Sequence, residues 1–327
     1  MPETTDKELS VPEPDPALLG ARTGIAPITC TYDLPPGHYD VTVVVRGGTE
    51  VLAEARRLMA PASPDEGWHR RTFTVNVRTP EAQQNGWDGP GTPGLTLTFA
   101  GAAPEVRAIG LAAARPVALF LAGDSTVTDQ AHAPYTGWGQ RLPRHFRHGL
   151  SVVNHSGSSE SSASFLAQPE LWATMEPQVR PGDVTLVQFG HNDKQATAAA
   201  YRDNLSRIAR GIAARGATPV LVTPIVRRRF AGSALHPTGL IVNELGVDLP
   251  AEMRAVAAAE GVALIDLTDD SRRLVEGLGP EAAEELYLTR EKQDDTHTSE
   301  HGATVFADLV AAGLRRLGLV AGRYWTS

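Results

Sequence analysis

With 327 residues, 42% of them hydrophobic, and a formal net charge of −8, the chain can fill two cores and is too acidic for a protein whose main partner is nucleic acid. Its single cysteine, Cys30, excludes an intramolecular disulfide framework and a cysteine-rich zinc site. No stretch is long and apolar enough to span a bilayer, and residues 1–19 lack the basic and apolar regions of a signal peptide. A cytoplasmic location is therefore expected, or a secreted one if a leader has been trimmed.

Residues 1–20 are acidic and proline-bearing without apolar periodicity, which predicts a flexible lead-in. Strand patterns follow. Residues 40–46 are β-branched, and Phe73-Thr74-Val75-Asn76-Val77 and Leu95-Thr96-Leu97-Thr98-Phe99 alternate apolar with polar side chains. Gly, Pro and Asn clusters at 33–37 and 85–94 separate them. This pattern predicts a β-sandwich accessory domain over residues 21–115. Its Trp68 and Trp87 are either packing anchors or a platform for a sugar ring.

The rhythm changes at Pro116. Short continuous apolar runs occupy residues 117–122, 151–153, 184–189, 219–222 and 262–265, with helical periodicity clearest at 201–215 and 249–260. Such alternation predicts a parallel sheet covered on both faces, so residues 116–327 read as an α/β domain of three layers. Near the end, Val305, Phe306, Leu309, Val310, Leu314 and Leu317 form one apolar stripe, which predicts a helix docked on that sheet.

Three polar motifs punctuate this part: Gly123-Asp124-Ser125, Gly190-His191-Asn192-Asp193 and Asp294-Asp295-Thr296-His297. Ligands of open parallel sheets collect beyond the carboxyl ends of the strands, where strand order reverses. In a flavodoxin-like order the first and third strands are neighbours, which brings Ser125 and Asn192 to one crevice. A serine there offers a nucleophile, and an Asn amide can donate to a developing oxyanion beside the Ser125 N–H. Asp294, three residues before His297, can hold one imidazole nitrogen while the other points at Ser125. Each motif alone has a plainer reading, as a turn, an Asx cap, or a solvated cap ahead of a helix whose N-cap is Thr298 or Ser299. Their co-occurrence, each after a strand or before a helix, favours chemistry. One His and two Asp make a poor zinc set, which leaves a hard divalent ion as the metal alternative. Acyl transfer by these side chains needs no metal or organic cofactor, and none is expected.

These motifs, with Asn154 and the Ser/Gly-rich run after it, resemble the four sequence blocks of the SGNH (GDSL-type) hydrolases. Ser125-Thr126-Val127-Thr128-Asp129, Gly137-Trp138-Gly139-Gln140, Asn154-His155, Gln188-Phe189-Gly190-His191-Asn192-Asp193 and Thr296-His297-Thr298 are similar to the rhamnogalacturonan acetylesterase branch. The resemblance covers nearly all of the chain from Pro116 onward. It implies a flavodoxin-like SGNH fold with Ser125 as nucleophile, His297 as general base, Asp294 as its orienter and Asn192 as an oxyanion donor. The family's usual oxyanion glycine aligns with Ser159, whose N–H survives the replacement if φ is negative, and Gly157 is the competing alignment. The arginine common after that glycine is Glu160 here.

The expected activity is a serine carbohydrate O-acetylesterase acting on pectic, rhamnogalacturonan-type chains through an acetyl-enzyme, with no nucleic-acid or membrane partner. A general short-chain esterase and an inactive carbohydrate-binding relative are the rival readings. Candidate substrate-binding residues are Asp124, Trp138, Gly157, His191, Arg227 and Arg228. The two arginines follow the apolar run at 219–222, where guanidinium groups could pair with uronate carboxylates.

Overall fold

A computed structural model describes residues 27–80 and 91–326. The lead-in expected over residues 1–20, and Trp87, lie outside the described residues.

The first seven strands are β1 (Ile28–Tyr32), β2 (Gly37–Arg46), β3 (Glu50–Ala53), β4 (Arg57–Ala60), β5 (Trp68–Val77), β6 (Leu95–Ala100) and β7 (Val106–Ala113). They form two antiparallel sheets, ordered β1-β6-β3-β4 and β5-β2-β7. Alternation decides what lies between them. Val41, Val43 and Val45 of β2, Phe73 and Val75 of β5, and Leu95, Leu97 and Phe99 of β6 are buried in one shared cluster.

The second part opens with β8 (Val117–Gly123), then α1 (Trp138–Arg141), β9 (Leu150–Asn154), α2 (Ser162–Ala167), α3 (Trp172–Met175), β10 (Val184–Gln188), α4 (Ala198–Ala214) and β11 (Thr218–Val222). A small hairpin, β12 (Phe230–Ala231) and β13 (Ala234–Leu235), precedes α5 (Leu249–Glu260), β14 (Ala263–Ile265) and α6 (Leu267–Ala282). Last come β15 (Tyr287–Leu288), α7 (Thr289–Lys292), β16 (Asp294–Thr298) and α8 (Glu300–Leu317). Five of these strands make a parallel sheet ordered β14-β11-β10-β8-β9. Numbered along the chain this is 5-4-3-1-2, the flavodoxin-like order, with its reversal between β8 and β10.

Successive side chains of β8 serve opposite layers. Leu119 and Leu121 pack with Val275 of α6 and with Phe306, Val310 and Leu314 of α8. Phe120 and Ala122 pack with Tyr201, Leu205 and Ile208 of α4 and Met253 of α5. Each such side chain, fully withdrawn from water, contributes roughly 1.5–3 kcal/mol. The apolar stripe near the C-terminus therefore lies on the sheet as its periodicity implies. Sequence periodicity missed α6, whose first turns carry Asp269, Asp270, Arg272 and Arg273 and which kinks at Gly279.

A buried ion pair joins the two parts. Arg57 of β4 places Nε 2.5 Å from Asp129 Oδ2, with the side chains 2% and 6% exposed. Arg57 also donates to Asn76 O, and Asp129 accepts from Asn154 Nδ2 at 2.9 Å. Removing either partner would strand a charge without water, so the pair holds one docking geometry.

Candidate active site

Gly123 ends β8 where a Cβ would come within 2.6 Å of Val127 Cγ2, so only glycine lets the chain turn tightly there. Asp124 then closes an Asx turn, accepting from the Thr126 N–H and hydroxyl at 2.9 and 2.7 Å. No helix follows directly: Ser125 projects from a turn, 8% exposed.

The Ser125 hydroxyl lies 2.9 Å from His297 Nε2, and His297 Nδ1 lies 2.6 Å from Asp294 Oδ2. The other carboxylate oxygen of Asp294 accepts the backbone N–H groups of Thr296 and His297 at 2.8 and 3.0 Å. Burial by itself raises the Asp294 carboxyl, but hydrogen bonds from the His297 ring and backbone, with the ring's charge, outweigh it and hold the acid well below its usual range. An ionised Asp294 accepts the Nδ1 proton, which leaves Nε2 free to accept from the Ser125 hydroxyl. Asp294 and His297 sit on β16 rather than in a loop, paired with β15, and the helix N-cap is Ser299, which accepts from Gly302 N–H. The Tyr135 and His297 rings meet nearly at right angles, with centroids 5.4 Å apart.

Beyond β10, Gly190 has φ +150°, and a Cβ there would meet Pro224 Cγ at 2.9 Å. The turn it permits carries Asn192 to the adjoining loop, where Nδ2 donates to Glu160 O at 3.1 Å and its second N–H is not engaged. Ser159 occupies the third position of a turn closed by Glu160 N–H on Gly157 O, with φ +68°. The negative φ set as the condition for this donor is not found. A left-handed φ at this turn position is what favours glycine, and serine adopts it at a conformational cost of about 1 kcal/mol while keeping its N–H.

A cleft of about 420 Å³ opens over these groups. Ser125, His191, Asn192, Asp294 and His297 line it, as does Arg227, which donates to His191 O at 2.8 Å. Arg229, of the arginine run expected at this rim, also lines it, as do Lys194, Asn243 and Ile241, which went unrecognised as site residues. Lys194 follows the Gly-His-Asn-Asp motif directly, so adjacency was the available signal. Ile241 carries φ +61°, a strained conformation for a β-branched residue at the cleft wall.

Other expected substrate contacts are corrected. Asp124 is sealed and bound to His191 Nδ1 at 3.0 Å, and His191, though in the cleft wall, has Nε2 3.0 Å from Ile225 O, so neither offers a free polar group. Trp138 is 1% exposed and donates Nε1–H to Gln188 Oε1, which makes it core. The Gly157 N–H is consumed by Gly123 O at 3.0 Å, which removes it as the competing oxyanion donor. Arg228 turns away to Glu284, Thr289 and Asp295.

Residues 121–305, more than half of the chain, match the model of the GDSL-like Lipase/Acylhydrolase family. The chain belongs to that family and is a carboxylic ester hydrolase. It is 37% identical over 221 residues to rhamnogalacturonan acetylesterase RhgT of Bacillus subtilis (strain 168), spanning 63% of this chain and 92% of that one. A probable rhamnogalacturonan acetylesterase of the same organism, YesY, is 32% identical over 213 residues, spanning 62% and 94%. The crystal structure of Bacillus subtilis YxiM shares the fold across 90% of this chain and 82% of that chain, with a TM-score of 0.58 at 24% identity.

Proposed function

We propose that this hydrolase is a serine carbohydrate O-acetylesterase that deacetylates pectic, rhamnogalacturonan-type chains, with residues 116–327 as its catalytic domain and 21–115 as an accessory domain. The carrying observation is the unbroken relay from Ser125 through His297 to Asp294, at 2.9 and 2.6 Å. His297 Nε2 takes the hydroxyl proton as Ser125 Oγ bonds to the acetyl carbonyl carbon, and the carbonyl electron pair moves to oxygen. Ser125 N–H, Ser159 N–H and the second N–H of Asn192 are the donors assigned to that oxyanion. The oxyanion collapses, the bond to the sugar oxygen breaks, and His297 returns its proton to the departing alcohol. Water then attacks the acetyl-enzyme by the same route and releases acetate.

Two features of the cleft support the substrate. Lys194, Arg227 and Arg229 line it and outnumber the carboxylates of Glu244 and Asp294, in a chain of net charge −8, which suits uronate carboxylates near the ester. Ile241 and Val242 are the aliphatic side chains among its lining residues, too few to cover a long acyl tail. The similarity to a rhamnogalacturonan acetylesterase at 37% identity supports the same substrate class. Acetate release from acetylated pectin, compared with hydrolysis of butyryl and octanoyl esters, tests this. Preference for the acetylated polymer is expected, and equal or faster turnover of octanoyl esters would replace it with a general esterase. Loss of turnover in Ser125→Ala is expected, and an unchanged rate would place the chemistry elsewhere.

A further inference from the structure

A groove of about 590 Å³, larger than the active-site cleft, runs along the junction of the sandwich and the parallel-sheet part. Its charged walls are Arg70 and Arg71 of β5 with Arg144, Arg147 and His148 ahead of β9, and among the described residues no carboxylate lines it. Asp308 pairs with Arg144. Among the described residues Arg70, Arg71 and Arg147 have no ion pair.

A second observation adjoins it. On β2 the odd residues Val41, Val43 and Val45 face the sandwich core, so Val44 and Arg46 face outward, and register pairs them with Arg70 and Trp68. Trp68 therefore shares the outward face of β5 with Arg70. It is one of the three large apolar side chains left open among the described residues, 37% exposed, and Arg107 sets its guanidinium carbon 4.3 Å from the ring centre. A partly exposed indole, with Arg107 over one face, beside unneutralised guanidinium groups is chemistry that suits an acidic sugar: the exposed ring surface packs on the C–H face of a pyranose and the cations take its carboxylate.

We propose that this junction is a second, non-catalytic site for a carboxylate-bearing polysaccharide, held by Arg70, Arg147 and Trp68; its ligand class rests on the acidic-sugar reading of the catalytic cleft. Arg147 and His148 precede β9 at its amino end, whereas Ser159 follows β9 at its carboxyl end. The strand between the two ends is roughly 13–17 Å long, a span that a polymer can bridge and a short ester cannot. Binding at the groove raises the effective concentration of the same chain at the cleft. The sandwich thereby gains a function, as one wall of a substrate-retaining groove.

The test uses the full-length Ser125→Ala protein, so that no ester is turned over. Its tryptophan fluorescence is titrated with deacetylated polygalacturonate oligomers at low and physiological salt. A saturable, salt-sensitive change is expected, abolished in Trp68→Phe and shifted at least tenfold to weaker binding in Arg70→Glu/Arg147→Glu. In the active enzyme the same double substitution is expected to raise KM for acetylated polymer severalfold, while melting temperature and hydrolysis of a small acetate ester report that the fold is intact. A titration indifferent to both variants, or single-stranded DNA or a neutral glucan binding equally well, overturns the proposal. Uronate binding without acetate release from pectin would sink the catalytic reading and leave the groove. Acetate release with a KM unmoved by the arginine substitutions would do the reverse.

Discussion

The Asp124 carboxylate and the His191 imidazole meet at 3.0 Å between the ends of β8 and β10, with the side chains 0% and 2% exposed. Asp124 precedes Ser125 and His191 precedes Asn192, so this contact ties the serine turn to the amide turn. Burial by itself raises the Asp124 carboxyl, but the charge and hydrogen bond of His191, with those of Thr126, outweigh it and keep the acid ionised. His191→Ala leaves that charge buried and unmatched, and a loss of about 3–5 kcal/mol in denaturant unfolding is expected. Asp124→Asn/His191→Ala removes the charge as well and should be less destabilised than the sum of the two single variants. Strict additivity would show that the two side chains do not act as a pair.

Asn192 and Ser159 separate the two kinds of oxyanion donor. Asn192→Ala removes an amide and also frees Glu160 O from its 3.1 Å hydrogen bond, and kcat should fall about 10²–10³-fold. Ser159→Gly keeps the N–H and relieves φ +68°, so kcat should hold while stability stays level or rises by up to about 1 kcal/mol. A large kcat loss in Ser159→Gly would mean that the Ser159 side chain, rather than its backbone, contributes.

The parallel sheet and helices α4, α5 and α8 were readable because buried strands leave continuous apolar runs and docked helices leave a 3.6-residue stripe. β3 and β4, of four residues each, are too short to show a period, and β7 interrupts its pattern with Arg107 and Gly110. At the site, Ser125, Asn192, Asp294 and His297 were visible because each lies in a short motif whose backbone is shaped by bonds between near neighbours. Trp138 and Arg228 were misread for the opposite reason: their directions are set by Gln188, 50 residues away, and by Glu284, 56 residues away. The Arg57–Asp129 pair spans 72 residues and depends on docking that no local pattern encodes.

Asp193 gives the protein a pH dependence of known sign. Burial raises its carboxyl from an ordinary 3.8 to about 6, against hydrogen bonds from Ser162 and with added repulsion from Asp124. Between those values the folded protein holds a proton that the unfolded chain has released. The stability this group contributes is fully present below about 3.8 and is lost as pH rises through about 6. The unfolding free energy of the native protein minus that of Asp193→Asn should therefore decline from pH 4 to pH 7, roughly. A constant difference across that range would show that the carboxyl titrates alike in both states.

Arg56 carries the sandwich's influence to the catalytic histidine. It sits in the turn between β3 and β4 at φ +58° and donates to Gln130 O and Tyr135 O at 3.3 and 3.1 Å, with further contacts to Thr136 and Glu300. The Tyr135 ring packs on His297, and the Thr136 carbonyl accepts from Thr298, so the loop Arg56 braces is one wall of the His297 seat. A misplaced base loses rate steeply with distance, so Arg56→Ala should lower kcat about tenfold or more. Because Arg56 lines no part of the active-site cleft, KM for a small acetate ester should change little. Arg56→Lys keeps a charged donor for part of this set and should restore some of the lost rate. An unchanged kcat in Arg56→Ala would show that the His297 seat holds its shape without the sandwich.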